Sequence, residues 1–366
     1  MSRTRTSAFL RAAGALLVVA TATRTLAAQD VAARASSGSP AAVVPAAAAP
    51  IQWTAGAAFP VTLDHHVTFI TSGTRGDFLH VIGGHDGGKF RGTSYQAKIA
   101  KDGTLGAWEE GEALPAARAG MAFATDGRFA IIAGGKATVK DVVQDVYVAN
   151  IWGDGRLGAW KAAPFRLPAP RFHTGAVIAN GYAYVIGGND GTNATSTVFR
   201  AKIGRGGEMG AWTTLDSLPG PRSHQATFVE DGAIYLVAGM AGNPMGDAKP
   251  LGDVLRATVN KDGSLGEWKT VSQLDAAFAT HAAVVHEGYL YVIGGVENNK
   301  TMSDRVVRAA LGKDGTLGAW ETTTATLPAP RAHVHQVPVL RDHLFSVGGS
   351  RSGKALDDVV VGKFAN

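Results

Sequence analysis

Residues 154–188 read DGRLGAWKAAPFRLPAPRFHTGAVIANGYAYVIGG. In order, this stretch holds a tight turn, a Trp-bearing segment, a Leu-Pro-x-Pro-Arg-x-His joint, an apolar segment, a short turn and a second apolar segment ending in Gly-Gly. Near copies of it fill the chain. The first Gly of the closing pair, or the residue read as its equivalent, falls at Gly83, Gly134, Gly187, Gly239, Gly294 and Gly348, at intervals of 51 to 55 residues. A Trp recurs at Trp53, Trp108, Trp160, Trp212, Trp268 and Trp320. A period of about 50 residues made of short strands marks a repeat architecture.

Each copy reads as four strands. Thr174 to Ile178 is the first and Tyr182 to Gly188 the second, joined by the hairpin turn Asn180-Gly181. Thr197 to Ile203 is the third, alternating Val198, Arg200 and Lys202 with Phe199, Ala201 and Ile203, and the fourth holds the Trp. Between strands three and four stands Asp-Gly at Asp102, Asp154, Asp262 and Asp314, with Arg205-Gly206-Gly207 in the remaining internal copy. These residues supply the positive φ that such turns demand. A four-stranded antiparallel unit cannot bury both faces alone, so six of them stack around an axis. Trp supplies buried area, and Gly-Gly permits close approach of backbones.

The ends of the chain complete one unit. The last copy offers Val334 to Val339, His343 to Gly349 and Asp358 to Phe364 and lacks a Trp strand, while Ile51-Gln52-Trp53 has no strands before it. The expected fold is therefore all-β, a six-bladed β-propeller over residues 51–366, closed by an N-terminal strand that completes the C-terminal blade and removes an open sheet edge.

Upstream of the repeats, residues 1–27 read as a secretory signal: an Arg-bearing start, the apolar run Ala12 to Ala22, and small residues at Thr25, Ala27 and Ala28. The apolar run is too short to span a bilayer, so no transmembrane span is expected once the signal is removed. Residues 28–50, mostly Ala, Ser, Val, Pro and Gly, read as a linker. The expected location is periplasmic or secreted. The absence of cysteine is compatible with an oxidising compartment and excludes a lipid-anchored N-terminal Cys.

The formal charge of +5 invites a nucleic-acid reading. Arg3, Arg5, Arg11 and Arg24 leave with the signal, so 35 cations become 31 against 30 anions. No basic stripe of the kind phosphate recognition needs remains, and nucleic acid is excluded as a partner.

Gly-Gly after an apolar strand, a Trp downstream and a Pro-Arg-x-His joint before the first strand resemble the Kelch repeat, and the resemblance covers residues 51–366. It has departures: Met240 is read as replacing the second Gly of the fourth copy, Gly120 stands where His is expected in the second, and the first and fifth copies lack the Arg. The resemblance implies a Kelch-type propeller. It says little of activity, because the family spans protein-binding modules, sugar oxidases and a periplasmic sialic-acid mutarotase. Oxidase chemistry of the galactose oxidase kind needs a Cys-crosslinked Tyr, which a cysteine-free chain lacks. DGTLGAW does not have the spacing of a sialidase Asp-box, and the Glu-x-x-x-Asp-x-x-x-His iron pattern of plant specifier proteins has no match.

The strand four-to-one and two-to-three connections emerge on one face, where variable polar loops sit on a rigid frame. There the joints bring Arg118, Arg171, Arg222 and Arg331 together with His65, His173, His224, His281 and His333. These arginines and histidines are the candidate ligand-binding residues. Three uses compete for them: bonding to backbone, capture of an anionic or hydroxyl-rich ligand such as an acidic sugar, and metal ligation. No local His spacing supports a metal, and none is assigned; no cofactor is expected either. With no catalytic nucleophile or Gly-x-Ser-x-Gly elbow, the function expected is a non-catalytic module binding a glycan or an extracellular protein. The alternative is a sugar mutarotase or epimerase using the His/Arg-lined face. Open His and Arg side chains with a carboxylate in hydrogen-bond reach would mark the enzyme, and side chains consumed by backbone would mark the module.

Overall fold

A computed structural model of the chain describes residues 50–365. The expected signal lies outside the described residues, as does the expected linker except for Pro50. The described residues contain no helix and form six four-stranded antiparallel sheets.

The first sheet comprises Val67–Gly73, Gly76–His85, Phe90–Ile99 and Leu105–Glu110. The second comprises Ala122–Thr125, Phe129–Ala133, Val146–Asn150 and Lys161–Ala162, and the third Gly175–Ala179, Tyr182–Ile186, Val198–Lys202 and Thr213–Leu215. The fourth is built of Ala226–Glu230, Ala233–Ala241, Lys249–Thr258 and Lys269–Gln273, and the fifth of Ala282–His286, Tyr289–Ile293, Val306–Ala310 and Glu321–Thr322. The sixth joins both ends of the chain: Ile51–Ala55 pairs with Val359–Phe364, which pairs with His343–Val347, followed by Val339–Leu340. The first strand of this sheet is shorter than the expected Val334 to Val339.

The hairpin turns follow their residues. Asn180 and Gly181 have φ of 48° and 77°, the pair of positive values that a type I′ turn needs between two twisted strands. At Asp154-Gly155 the Asp carboxylate accepts the Arg156 N–H at 3.1 Å, an Asx turn that sets up the next residue's positive φ.

Inner strands are apolar on both faces and outer strands are polar. In Phe129–Ala133, Phe129, Ile131 and Ala133 pack toward the third sheet, whereas Ala130 and Ile132 pack toward the first. The period of two thus feeds two cores from one strand. Six apolar clusters result, each lying between two sheets consecutive in the order given, with the sixth sheet packing on the first through Phe345, Val347, Leu79 and Val81. Each cluster has one repeat Trp: Trp212, Trp53, Trp108, Trp160, Trp268 and Trp320 in turn. Four of these stand just before the outermost strand of their sheet rather than within it. Large buried area at one fixed point of each copy is what holds neighbouring sheets face to face.

Candidate functional site

At the start of each sheet the chain passes through one residue of positive φ: His65, Gly120, His173, His224, Thr280 and His333, at 53°, 63°, 48°, 59°, 55° and 58°. This left-handed conformation aims each N–H at the preceding residue of the set. Gly120 donates to His65 O at 2.8 Å, His173 to Gly120 O at 2.8 Å, His224 to His173 O at 3.0 Å, Thr280 to His224 O at 3.0 Å and His333 to Thr280 O at 3.2 Å. His65 then donates to His333 O at 3.3 Å, so the six bonds form a circuit.

The circuit corrects one expected site residue. His281 is not a member: Thr280 takes the place in the fifth sheet, and His281 follows it, buried against Phe278 and Gly295. Sequence spacing slips there because the fifth joint, Ala277-Phe278-Ala279-Thr280, carries none of the Pro, Arg or His that index the others.

A second slip concerns the Gly pair of the fourth sheet. Ala238 has φ of 51°, as the first Gly of the other pairs does, and Gly239 has 107°, as the second does. The pair is therefore Ala238-Gly239. Met240 bridges Ser223, in the place where Asn189 bridges Phe172 and Lys136 bridges Ala119. Elsewhere the first Gly allows two sheets to meet: a Cβ at Gly187 would run into the Arg222 carbonyl, and one at Gly348 would lie 2.5 Å from Leu63 O.

The four joint arginines do not face the ring. They are buried, and their guanidinium groups bind back into their own sheets. Arg222 donates to Ala238 O at 2.7 Å and to Asp253 at 2.6 Å; Arg331 donates to Gly348 O at 2.8 Å and to Asp358 at 2.6 Å. Arg118 holds Gly134 O at 3.1 Å and the Tyr147 hydroxyl at 2.9 Å, and Arg171 holds Pro170 O and Thr197 Oγ1, both at 2.6 Å. The fifth sheet reverses the arrangement. Phe278 occupies the Arg position, and Arg305, at the place of Asp253 and Asp358, stands over the Phe278 ring and pairs with Glu297 at 2.9 Å and Asp275 at 2.7 Å. A buried guanidinium whose two Nη groups are taken by oxygens of its own joint and sheet is an internal tie rather than a grip for ligand.

The histidines do converge. His173 and His224 stack with centroids 3.8 Å apart, and His65 and His333 stack at 4.1 Å. His65 meets His173 edge-on at 4.8 Å, and His335, two residues beyond the ring, reaches within 5.4 Å of His173 and 5.9 Å of His65. Three rings are fixed at Nδ1: His65 by Asp64 Oδ1 at 2.7 Å, His224 by Ser223 Oγ at 2.9 Å and His333 by Ser350 Oγ at 2.7 Å. Burial pushes His224 down to about 3. Burial and then the neighbouring imidazoles hold His173, His333 and His335 well below the ordinary range, so these rings are neutral at neutral pH.

Beside the cluster lies a pocket of about 250 Å³ where the first three sheets meet, lined by His65, His173, His85, Lys136, Phe90 and Phe172 among others. The Lys136 ammonium stands 4.6 Å from the Phe172 ring centre and donates to Val139 O at 3.1 Å. Beyond His173 a smaller cavity of about 60 Å³ is lined by His335, Gln225 and Gln336. Sequence reasoning missed His85, Lys136 and His335. The first two share one offset after Gly-Gly, and the alternation His333-Val334-His335 was the signal for the third.

No protein-family model matches the chain. β-Scruin of Limulus polyphemus is 28% identical over 187 residues, covering 50% of this chain and 19% of that protein. Kelch-like protein 9 of Mus musculus is 32% identical over 116 residues, covering 30% and 18%. These matches support a Kelch-repeat family for the chain. Among Kelch-repeat relatives, N-acetylneuraminate epimerase 2 of Escherichia coli O6:H1 is 30% identical over 133 residues, 36% of this chain and 34% of that protein. The chain spans between 18% and 41% of the length of the curated relatives it matches. In fold, the solved structure of YjhT superposes with a TM-score of 0.65 at 16% identity, over 84% of this chain and 96% of that one.

Proposed function

We propose that the six sheets are the blades of one six-bladed propeller closed by its N-terminal strand, acting in the periplasm or outside the cell as a binding module for an acidic sugar. Closure is supported by the pairing of Ile51–Ala55 with Val359–Phe364 and by the apolar packing between the sixth and first sheets. The observation that carries the ligand is the pocket: the Lys136 ammonium, the His85 and His65 rings and the Phe90 and Phe172 faces converge on about 250 Å³. That volume lies just below the usual range of ligand pockets, about 300 Å³ and upward, and suits one sugar ring better than a protein surface. An ammonium reads a carboxylate, imidazoles exchange hydrogen bonds with hydroxyls, and phenyl faces cover C–H edges. Two relatives, 30% and 32% identical over part of this chain, are named N-acetylneuraminate epimerases, enzymes of an acidic sugar.

The test is titration of the chain with acidic and neutral monosaccharides. Acidic sugars are expected to bind and neutral ones to bind more weakly, and Lys136→Ala is expected to weaken the acidic sugar by about tenfold or more with an unchanged melting curve. Absence of saturable binding, or equal affinity in Lys136→Ala, overturns the reading.

One observation favours a second, catalytic reading. Asp64 orients His65 at 2.7 Å on the pocket wall, an arrangement suited to moving a proton to or from a sugar hydroxyl. Faster anomer or epimer exchange of a bound sugar, followed by NMR and lost in His65→Gln, would select it.

A further inference from the structure

We propose that His65, His173 and His335 form a three-histidine site for a divalent transition-metal ion, zinc in the first instance, at the floor of the pocket. One ring nitrogen of each lies within 4.8 Å of the other two. Tetrahedral zinc with bonds of about 2.0–2.1 Å places its ligands about 3.3 Å apart, so modest side-chain rotation closes the triangle.

Two independent features point to a cation there. The first is unsatisfied ring nitrogen: His173 Nδ1 and His335 Nε2 are buried with no hydrogen-bond partner among the described residues. Buried polar atoms are nearly always partnered, and these two belong to two of the three rings of the group. The second is orientation. The Asp64 carboxylate takes Nδ1 of His65 at 2.7 Å, which leaves Nε2 as the lone-pair donor, as carboxylates do behind metal-bound imidazoles.

The three ligands come from the first, third and sixth sheets, which is why no short spacing in the sequence announces the site. Two of them line the large pocket and the third lines the small cavity beyond it, so the ion's remaining position opens toward the pocket. Three imidazoles with one open position suit zinc, copper or nickel over calcium or magnesium, which prefer oxygen. The site does not depend on the sugar reading. An ion on His65 Nε2 would, however, remove the proton-transfer role of that ring.

The experiment uses the chain freed of metal by chelator, titrated with Zn²⁺ alone and separately with Co²⁺. One Zn²⁺ per chain is expected, with a raised melting temperature, and Co²⁺ is expected to give the visible absorption of four-coordinate nitrogen ligation. His335→Gln, which touches the large pocket least, is expected to lose binding about a hundredfold or more, and Asp64→Asn about tenfold or more. Melting curves without metal establish that each variant is folded; should His335→Gln not fold, His173→Gln replaces it in the same measurements. Absence of Zn²⁺ uptake at millimolar concentration overturns the site, as does unchanged uptake in a folded His335→Gln or His173→Gln. Zn²⁺ uptake without sugar binding would sink only the sugar reading, and the converse only the metal.

Discussion

The imidazoles of His173 and His224, from neighbouring sheets, lie face to face with centroids 3.8 Å apart and planes 20° apart. Two rings so placed cannot both be charged, and burial already holds His224 down to about 3.

Acid should therefore unfold this protein through its histidines. His66 and His80 are pushed down to about 4 and His281 to about 3, chiefly by burial. In each case the folded pKa lies below the unfolded one of about 6.5, so the unfolded chain binds protons first as pH falls. The contribution is intact above about pH 6.5 and shrinks toward about pH 3–4, at up to about 1.4 kcal/mol per pH unit for each group. Melting temperature followed from pH 8 to 4 is expected to drop steeply below about pH 6.5. A flat profile down to about pH 4.5 would show that these rings are not kept neutral by the fold.

Removing a joint arginine should cost stability before it costs ligand. Arg222→Ala leaves Asp253 and the Ala238 carbonyl without their donor, at roughly 2–4 kcal/mol. Arg171→Ala breaks bonds only to neutral oxygens and should cost roughly 1–2 kcal/mol. Lys at residue 222 should rescue little, because it lacks the planar fork that spans both partners. Denaturant titrations of the three variants check the ordering, and loss of sugar affinity in a fully folded Arg222→Ala would return the arginines to the ligand site.

Ala238→Gly should stabilise the protein or leave it unchanged, by up to about 1 kcal/mol, because Ala holds a left-handed φ of 51° that Gly adopts freely. Gly187→Ala, in the same place of the third sheet, should destabilise it, since its methyl meets the Arg222 carbonyl. Equal effects of the two changes on urea midpoints would undo the assignment of Ala238 to the first position of its pair.

A chain beginning at residue 57 should melt well below one beginning at residue 50. Ile51 is 1% exposed, and the strand it opens pairs along five residues with Val359–Phe364. Its removal bares a sheet edge and empties the place of Trp53, at roughly 3–5 kcal/mol by analogy with truncation of large core side chains. Similar midpoints for the two chains would assign that strand no part in stability.

The repeat could be read because one Trp and one Gly pair per copy answer to packing demands that recur between every two sheets. Register was misread where those demands are met by other atoms. Ala238 takes the backbone conformation of a Gly, so a search for Gly-Gly alone places the pair one residue on, at Gly239 and Met240. Arg305 supplies the guanidinium of the fifth sheet from the opposite side, leaving a joint with no marker and shifting the assignment from Thr280 to His281. The pocket was harder still. It draws on His85, Lys136, Phe90 and Phe172 from three sheets, and its position off the centre of the ring depends on side chains that differ from copy to copy.

The six-bond circuit through His65, Gly120, His173, His224, Thr280 and His333 acts as a hoop. An open row of repeats frays from its terminal units, because each of those has a single neighbour. A hoop has no terminal unit. Widening it at one link strains the carbonyl geometry of the next, so a disturbance anywhere is shared by all six, and the histidines standing on it move as one collar rather than as four independent side chains.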